Sequence, residues 1–196
     1  MLFRSKLGIK KDEDRLFLCL GRVDEAKNLI FVMEAFIKVA KENSQIKLVF
    51  VGDGQLVPKL KDMAKDANIE NQVIFAGFID GKEKPIYYQA ADAYLFASHS
   101  ETQGIVVLEA LASGTPVIAV HDDSFAGVVE DGVNGYLIQE DSVEQFSKNI
   151  EKIVKDKNLK EKFKDSAIKK ASEYSREKQA KVLLGIYAEA IKNYKK

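Results

Sequence analysis

An α/β fold, a doubly wound parallel sheet of about six strands with a C-terminal helical tail, is predicted for this 196-residue chain by three observations. Short apolar runs recur along it, near-continuous rather than alternating, as strands covered on both faces must be. Helical patterns separate these runs, a β-α repetition that implies right-handed crossovers onto one sheet. After residue 140 the apolar runs stop and only helical periodicity remains.

The strand candidates are LFLCL (16–20), IKLVFVG (46–52), VIFAG (73–77), AYLFA (93–97), PVIAV (116–120) and GYLI (135–138). Between the first two, Leu29, Val32, Met33, Phe36, Ile37 and Ala40 mark one helical stripe. LVPKLKDMAKDA follows the second run, KPIYYQA the third and GIVVLEALAS the fourth. In the tail, Val143, Phe146, Ile150 and Ile153 share a helical face, and two more helical patterns run to the end. Their lysines read as solvated faces rather than a lipid-binding patch. Without repeats, low complexity or a Pro/Gly-rich linker, residues 1–196 form one domain, with its core at about 15–140 and its tail at about 141–196.

Composition narrows the classes. Hydrophobic residues make up 46% and charged residues 31%, which suits a globular domain with ample core material. Thirty basic and thirty acidic side chains cancel, so no bulk field favours nucleic acid. No apolar run reaches membrane-span length, and MLFRSKLGIKKDED lacks the apolar stretch of a secretion signal. A lone Cys19, inside a strand run, reads as a small core hydrophobe in a reducing compartment.

Ligands of open parallel sheets bind beyond the carboxyl ends of the strands. Four segments fall there. GRVDEAKN (21–28) offers Gly21 for close backbone approach, and Arg22 and Lys27 at a helix entrance suit a phosphate. The same two cations are equally able to pair with Asp24 and Glu25. VGDG (51–54) has neither dinucleotide nor P-loop spacing and reads as a turn. GFID (77–80) reads as a loop whose backbone can meet a nucleobase edge. The fourth, SHSETQGIVVLEALAS (98–113), has a loop from Ser98 to Gly104 and then a helix with free N–H groups from about Gly104 to Val107.

That segment carries two carboxylates eight positions apart. Glu101 precedes the anion-attracting helix end, where it can also act as a cap or pair with a cation. Glu109 lies within an apolar helical run, where burial without hydrogen bonds costs several kcal/mol. It therefore faces a ligand or bonds a backbone turn. Carboxylates accept hydrogen bonds from sugar hydroxyls, and the helix end between them suits phosphates. A sugar nucleotide has that shape. His99 beside Glu101, and His121 with Asp122 and Asp123, lack a zinc-like ligand set, so no metal is expected.

These residues resemble a known family. ETQGIVVLE (101–109) is similar to the E-x7-E motif of retaining glycosyltransferases with the GT-B fold, and GRVDEAKN to their phosphate-binding Arg/Lys loop. EALASGTPVIAV (109–120) and AGVVEDGVNGYLI (126–138) resemble the family's next two strands. The match spans roughly residues 15–140 in family order and points to the C-terminal, donor-binding, Rossmann-like domain of glycosyltransferase family four, group 1.

The resemblance implies roles. Arg22 and Lys27 hold the donor diphosphate and stabilise the departing nucleotide, which makes them catalytic together with Glu101, a ligand of the transferred sugar. Backbone groups around Gly104, Ile105 and Val106 contact sugar and phosphate, Gly21, Thr102 and Gln103 belong to the donor-binding site, Glu109 holds the ribose, and the main chain near Phe78 and Ile79 reads the base, usually uracil, less often guanine or adenine. No metal or cofactor is implied, so HDD (121–123) is not read as a metal motif. Where many relatives have an aromatic or Pro residue after the first Glu, this chain has Thr102 and Gln103. ETQG resembles members that transfer glucose to diacylglycerol, which implies UDP-glucose as donor, a glycolipid precursor as acceptor and a cytoplasmic location at the inner membrane face.

GT-B enzymes have two Rossmann-like domains, and this sequence accounts for one. The N-terminal acceptor domain is expected outside it, and the isolated domain is expected to be inactive. Ala180, Leu183, Leu184, Tyr187 and Ile191 resemble the family's crossing tail, some of whose apolar surface should then be exposed or paired with another copy. Two other readings share the architecture: a non-catalytic nucleotide- or sugar-phosphate-binding module, and a nucleotide-sugar epimerase.

Overall fold

The structure, a computed structural model, describes residues 2–10, 13–99 and 101–194. Ser100, in the predicted 98–104 loop, lies outside the described residues, as do Met1, Lys11, Asp12, Lys195 and Lys196. Six strands form one sheet: β1 (Arg15–Leu20), β2 (Ile46–Val51), β3 (Val73–Gly77), β4 (Ala93–Phe96), β5 (Val117–Val120) and β6 (Gly135–Ile138). They run in the order β3-β2-β1-β4-β5-β6 and every adjacent pair is parallel. Each predicted run is a strand, to within a residue or two at its ends.

The strands alternate faces with period two, and both faces are buried. Phe17 and Cys19 of β1 pack with Leu48 and Phe50 of β2 in one layer. Helices α2 (Leu29–Ala40), α3 (Val57–Asp66) and α6 (Val143–Lys155) cover that layer with Val32, Phe36, Leu60, Phe146 and Ile150. Leu16 and Leu18 face the other layer, covered by α4 (Lys84–Ala90), α5 (Ile105–Ala112) and α7 (Leu159–Glu173) through Tyr88, Val107, Leu111 and Ala167. Burial on both faces is why these strands read as continuous apolar runs. The Cys19 thiol lies 3.6 Å from the Leu95 carbonyl, and burial pushes its pKa up, as befits an inert core residue.

Local signals set the helix starts. Proline occupies the first turn of α3 and α4, where its missing N–H costs nothing. The Ser142 hydroxyl caps α6 by accepting from the Gln145 N–H at 3.2 Å. A short helix, α1 (Leu2–Lys6), was not legible in the sequence; the Phe3 ring packs edge-on to Tyr87 at 4.5 Å. Helix α8 (Arg176–Tyr194) buries none of its residues, and Leu183, Leu184, Tyr187 and Ile191 are exposed as expected.

Candidate functional site

The strand order reverses between β1 and β4, so loops beyond their carboxyl ends diverge to open a crevice. Glycines close its floor. Gly21, at φ 142°, donates its N–H to the Val51 carbonyl at 2.9 Å, and Gly52, at φ 125°, donates to the Gly77 carbonyl at 2.8 Å. A Cβ on Gly52 would stand 1.9 Å from the Gly21 oxygen, so only glycine permits this approach. VGDG is thus more than a turn: it forms a wall of the cleft.

Within the crevice, a cavity of about 310 Å³ is lined by Gly21, Arg22, Gly52, Phe78, Ile79 and Val106, with Lys84 at its edge. The Phe78 side chain is 88% exposed, which a core role does not explain. Arg22 is also largely exposed, and its guanidinium pairs with Asp24 at 2.9 Å. One of the two pairings allowed by the sequence therefore forms. The other does not: Lys27, on the turn leading to α2, pairs with Glu101 rather than Glu25.

Glu101 accordingly does not cap α5. That helix starts at Ile105, and its N-cap is Gly104, which has no side chain to bond the first N–H groups. Gly104 adopts φ 56°, and a Cβ there would lie 2.7 Å from the Phe125 Cβ. The anion-attracting end of α5 is therefore held open by glycine and lies between Glu101 and Glu109 in the chain. Thr102 and Gln103 are exposed in the preceding loop, and Ile105 is exposed on the first turn.

Glu109 proves to be neither buried nor bonded to a backbone turn. Its side chain is 34% exposed, and the Lys84 ammonium lies 3.3 and 3.4 Å from its two oxygens. The Tyr88 hydroxyl donates to it at 3.1 Å. Glu109 does not line the 310 Å³ cavity; it borders a neighbouring apolar hollow with Ile105 and Leu108, and Lys84 links it to the first. Burial and then the Glu109 charge raise the Tyr88 pKa, so the phenol remains a donor at neutral pH. Lys84 and Tyr88 gave no sequence signal of this role.

The histidines do not gather ligands. His99 Nε2 lies 2.9 Å from Asp141 Oδ1. Asp122 accepts from the Ser124 N–H at 2.9 Å as a turn cap, and hydrogen bonding from Ser124, its side chain first and then its main chain, lowers the Asp122 pKa. Among the described residues, no group of three or more His, Cys, Asp or Glu is placed to hold a metal ion.

A parallel sheet in this order, with glycine-closed loops, paired cations and an open helix end at its switch point, defines a Rossmann-like domain of the GT-B type. The chain belongs to the family described as glycosyl transferases group 1, whose model matches residues 3–170. It is 45% identical over 134 residues to the alpha-monoglucosyldiacylglycerol synthase of Streptococcus pneumoniae, covering 68% of this chain and 30% of that protein. The enzyme of the same name from Acholeplasma laidlawii is 32% identical over 194 residues, 98% of this chain and 48% of its own length. The chain thus spans half or less of these relatives.

Among solved structures, the C-terminal domain of a glycosyl transferase group 1 family protein from Francisella tularensis superposes with a TM-score of 0.76 at 27% identity, over 86% of this chain and 88% of that one. A mutant of S. aureus TarM, solved in complex with fondaparinux, alpha-GlcNAc-glycerol and UDP, gives a TM-score of 0.82 at 23% identity, over 91% of this chain and 36% of its own. The latter likeness is one of fold.

Proposed function

We propose that this chain is the donor-binding half of a retaining glycosyltransferase that takes a hexose, glucose, from a UDP-sugar. The observation that carries the proposal is the arrangement at the switch point: Lys27 paired with Glu101 in the loop before the open α5 N-terminus, and Lys84 paired with Glu109 about one turn inside that helix. A diphosphate between them meets the helix end and the Arg22 and Lys27 cations. Glu101 then accepts from hydroxyls of the transferred sugar and Glu109 from those of the ribose. Main-chain groups at Phe78 and Ile79 meet the base.

The chemistry asked of these residues is electrostatic. As the sugar–phosphate bond breaks, negative charge builds on the departing UDP, and fixed cations with a helix end stabilise it without proton transfer. In this reading the same groups do the work that a metal performs elsewhere. The names of both relatives support glucose as the transferred sugar and a diacylglycerol-type acceptor, a glycolipid precursor. The complete enzyme would then work at the cytoplasmic membrane face, with its acceptor on a separate N-terminal domain.

Calorimetry with UDP, GDP and UDP-glucose tests the proposal. Binding of UDP, strengthened or retained with the sugar attached, supports it. Absence of binding by any of the three at about millimolar concentration overturns it.

A further inference from the structure

Two side chains outside the motifs hold Glu109. The Lys84 ammonium sits astride its carboxylate, 3.3 Å from Oε1 and 3.4 Å from Oε2, and the Tyr88 hydroxyl donates to Oε2 at 3.1 Å. Lys84 comes from the first turn of α4 and Tyr88 from the next, so one helix supplies both and packs beside α5. An unsupported glutamate turns freely about its last torsion, whose preference is broad. Three contacts from one side remove that freedom.

The support is rigid where it needs to be. Tyr88 is 1% exposed, its ring meets Tyr94 edge-on at 5.4 Å, and its carbonyl accepts from the Thr115 hydroxyl at 2.6 Å. Lys84, by contrast, is partly exposed and edges the cavity containing Phe78 and Ile79. It also balances the site. Arg22, Lys27 and Lys84 are matched by Asp24, Glu101 and Glu109 through the observed pairs. Without Lys84, a diphosphate would approach two cations and three anions.

A carboxylate has about four lone-pair positions. Three are engaged here, two on Oε2 and one on Oε1, so Oε1 keeps an acceptor for one further hydroxyl, such as the 2′-hydroxyl that ribose has and 2′-deoxyribose lacks. We infer that Lys84 and Tyr88 are positioning residues that orient Glu109 to select ribose over 2′-deoxyribose, an inference that rests on the donor-binding reading above.

The test compares UDP with 2′-deoxy-UDP by calorimetry on the 196-residue chain and two variants, Tyr88→Phe and Lys84→Met, with circular dichroism to establish folding. The unaltered chain should prefer UDP by roughly tenfold, the worth of one hydroxyl bonded to a charged group. Each variant should bring that preference to within roughly threefold of unity, and Lys84→Arg should keep more of it than Lys84→Met. A folded variant that weakens both nucleotides equally has lost structure rather than orientation, and overturns the inference. So does a preference unchanged in both variants, or an unaltered chain that binds the two nucleotides equally. An unaltered chain that binds neither overturns the donor reading itself.

Discussion

Lys27 and Glu101 form an ion pair across the crevice between β1 and β4, joining residues 74 positions apart in the sequence. Both side chains are mostly shielded from solvent, at 22% and 16% exposure. Each group therefore depends on the other in the free protein, and a donor bound as proposed would share both. The pair fixes a cation beside Gly21 and a carboxylate beside the α5 N-terminus before any ligand arrives.

This arrangement separates the two residues by ligand. Lys27→Ala should weaken UDP and UDP-glucose alike, by roughly ten- to a hundredfold, the range for a hydrogen bond to a charged group. Glu101→Ala should leave UDP binding intact or tighter, since it removes a negative charge, and abolish the gain from the attached glucose. Calorimetry on both variants with both ligands measures the split.

Gly52→Ala should destabilise the fold strongly, because the added methyl carbon meets the Gly21 oxygen at 1.9 Å in a backbone region that favours glycine. A loss of about 2–4 kcal/mol is expected, read as a lower urea midpoint. Gly81→Ala is the control: nothing lies within 4 Å of its added carbon, so a change within about 0.5 kcal/mol is expected.

Helix α8 should prove dispensable for core stability, since none of its residues is buried. A chain ending at Ser175 should unfold at the same urea midpoint as the longer one. It should also self-associate less, because Leu184, Tyr187 and Ile191, each more than half exposed, are removed. Sedimentation of the two forms at matched concentration checks the second point.

Cations and a helix end are proposed to hold the diphosphate, so UDP affinity should be the same in EDTA and in excess magnesium. It should fall with added sodium chloride, since the attraction is screened. Parallel titrations in the three buffers give the answer; magnesium dependence would remove Arg22 and Lys27 from their proposed role.

The strands were legible because both-face burial leaves one-dimensional evidence, a continuous run of Val, Ile, Leu and Phe. Helix α2 was legible for the related reason that its buried stripe repeats at helical spacing. Short α1 offered no such repeat. Within the site, Glu109 stood out as a charge in an apolar helix, yet its partners did not. Lys84 sits in KEK, which reads as solvated surface, and Tyr88 in YY, which reads as core. Their joint contact with a residue 21 to 25 positions away arises only when α4 packs on α5. Gly52 shows the same limit: a glycine after a strand reads as a turn until the facing carbonyl of Gly21 is placed.

The central claim is that a uridine nucleotide binds at the β1/β4 switch point. Titrating the isotope-labelled chain with UDP and following its backbone amide resonances tests this most directly. The account predicts shifts concentrated at Gly21, Lys27, Phe78, Ile79 and the first turn of α5, saturating together with one affinity. Shifts confined to other faces of the domain, or none at about millimolar UDP, would contradict it.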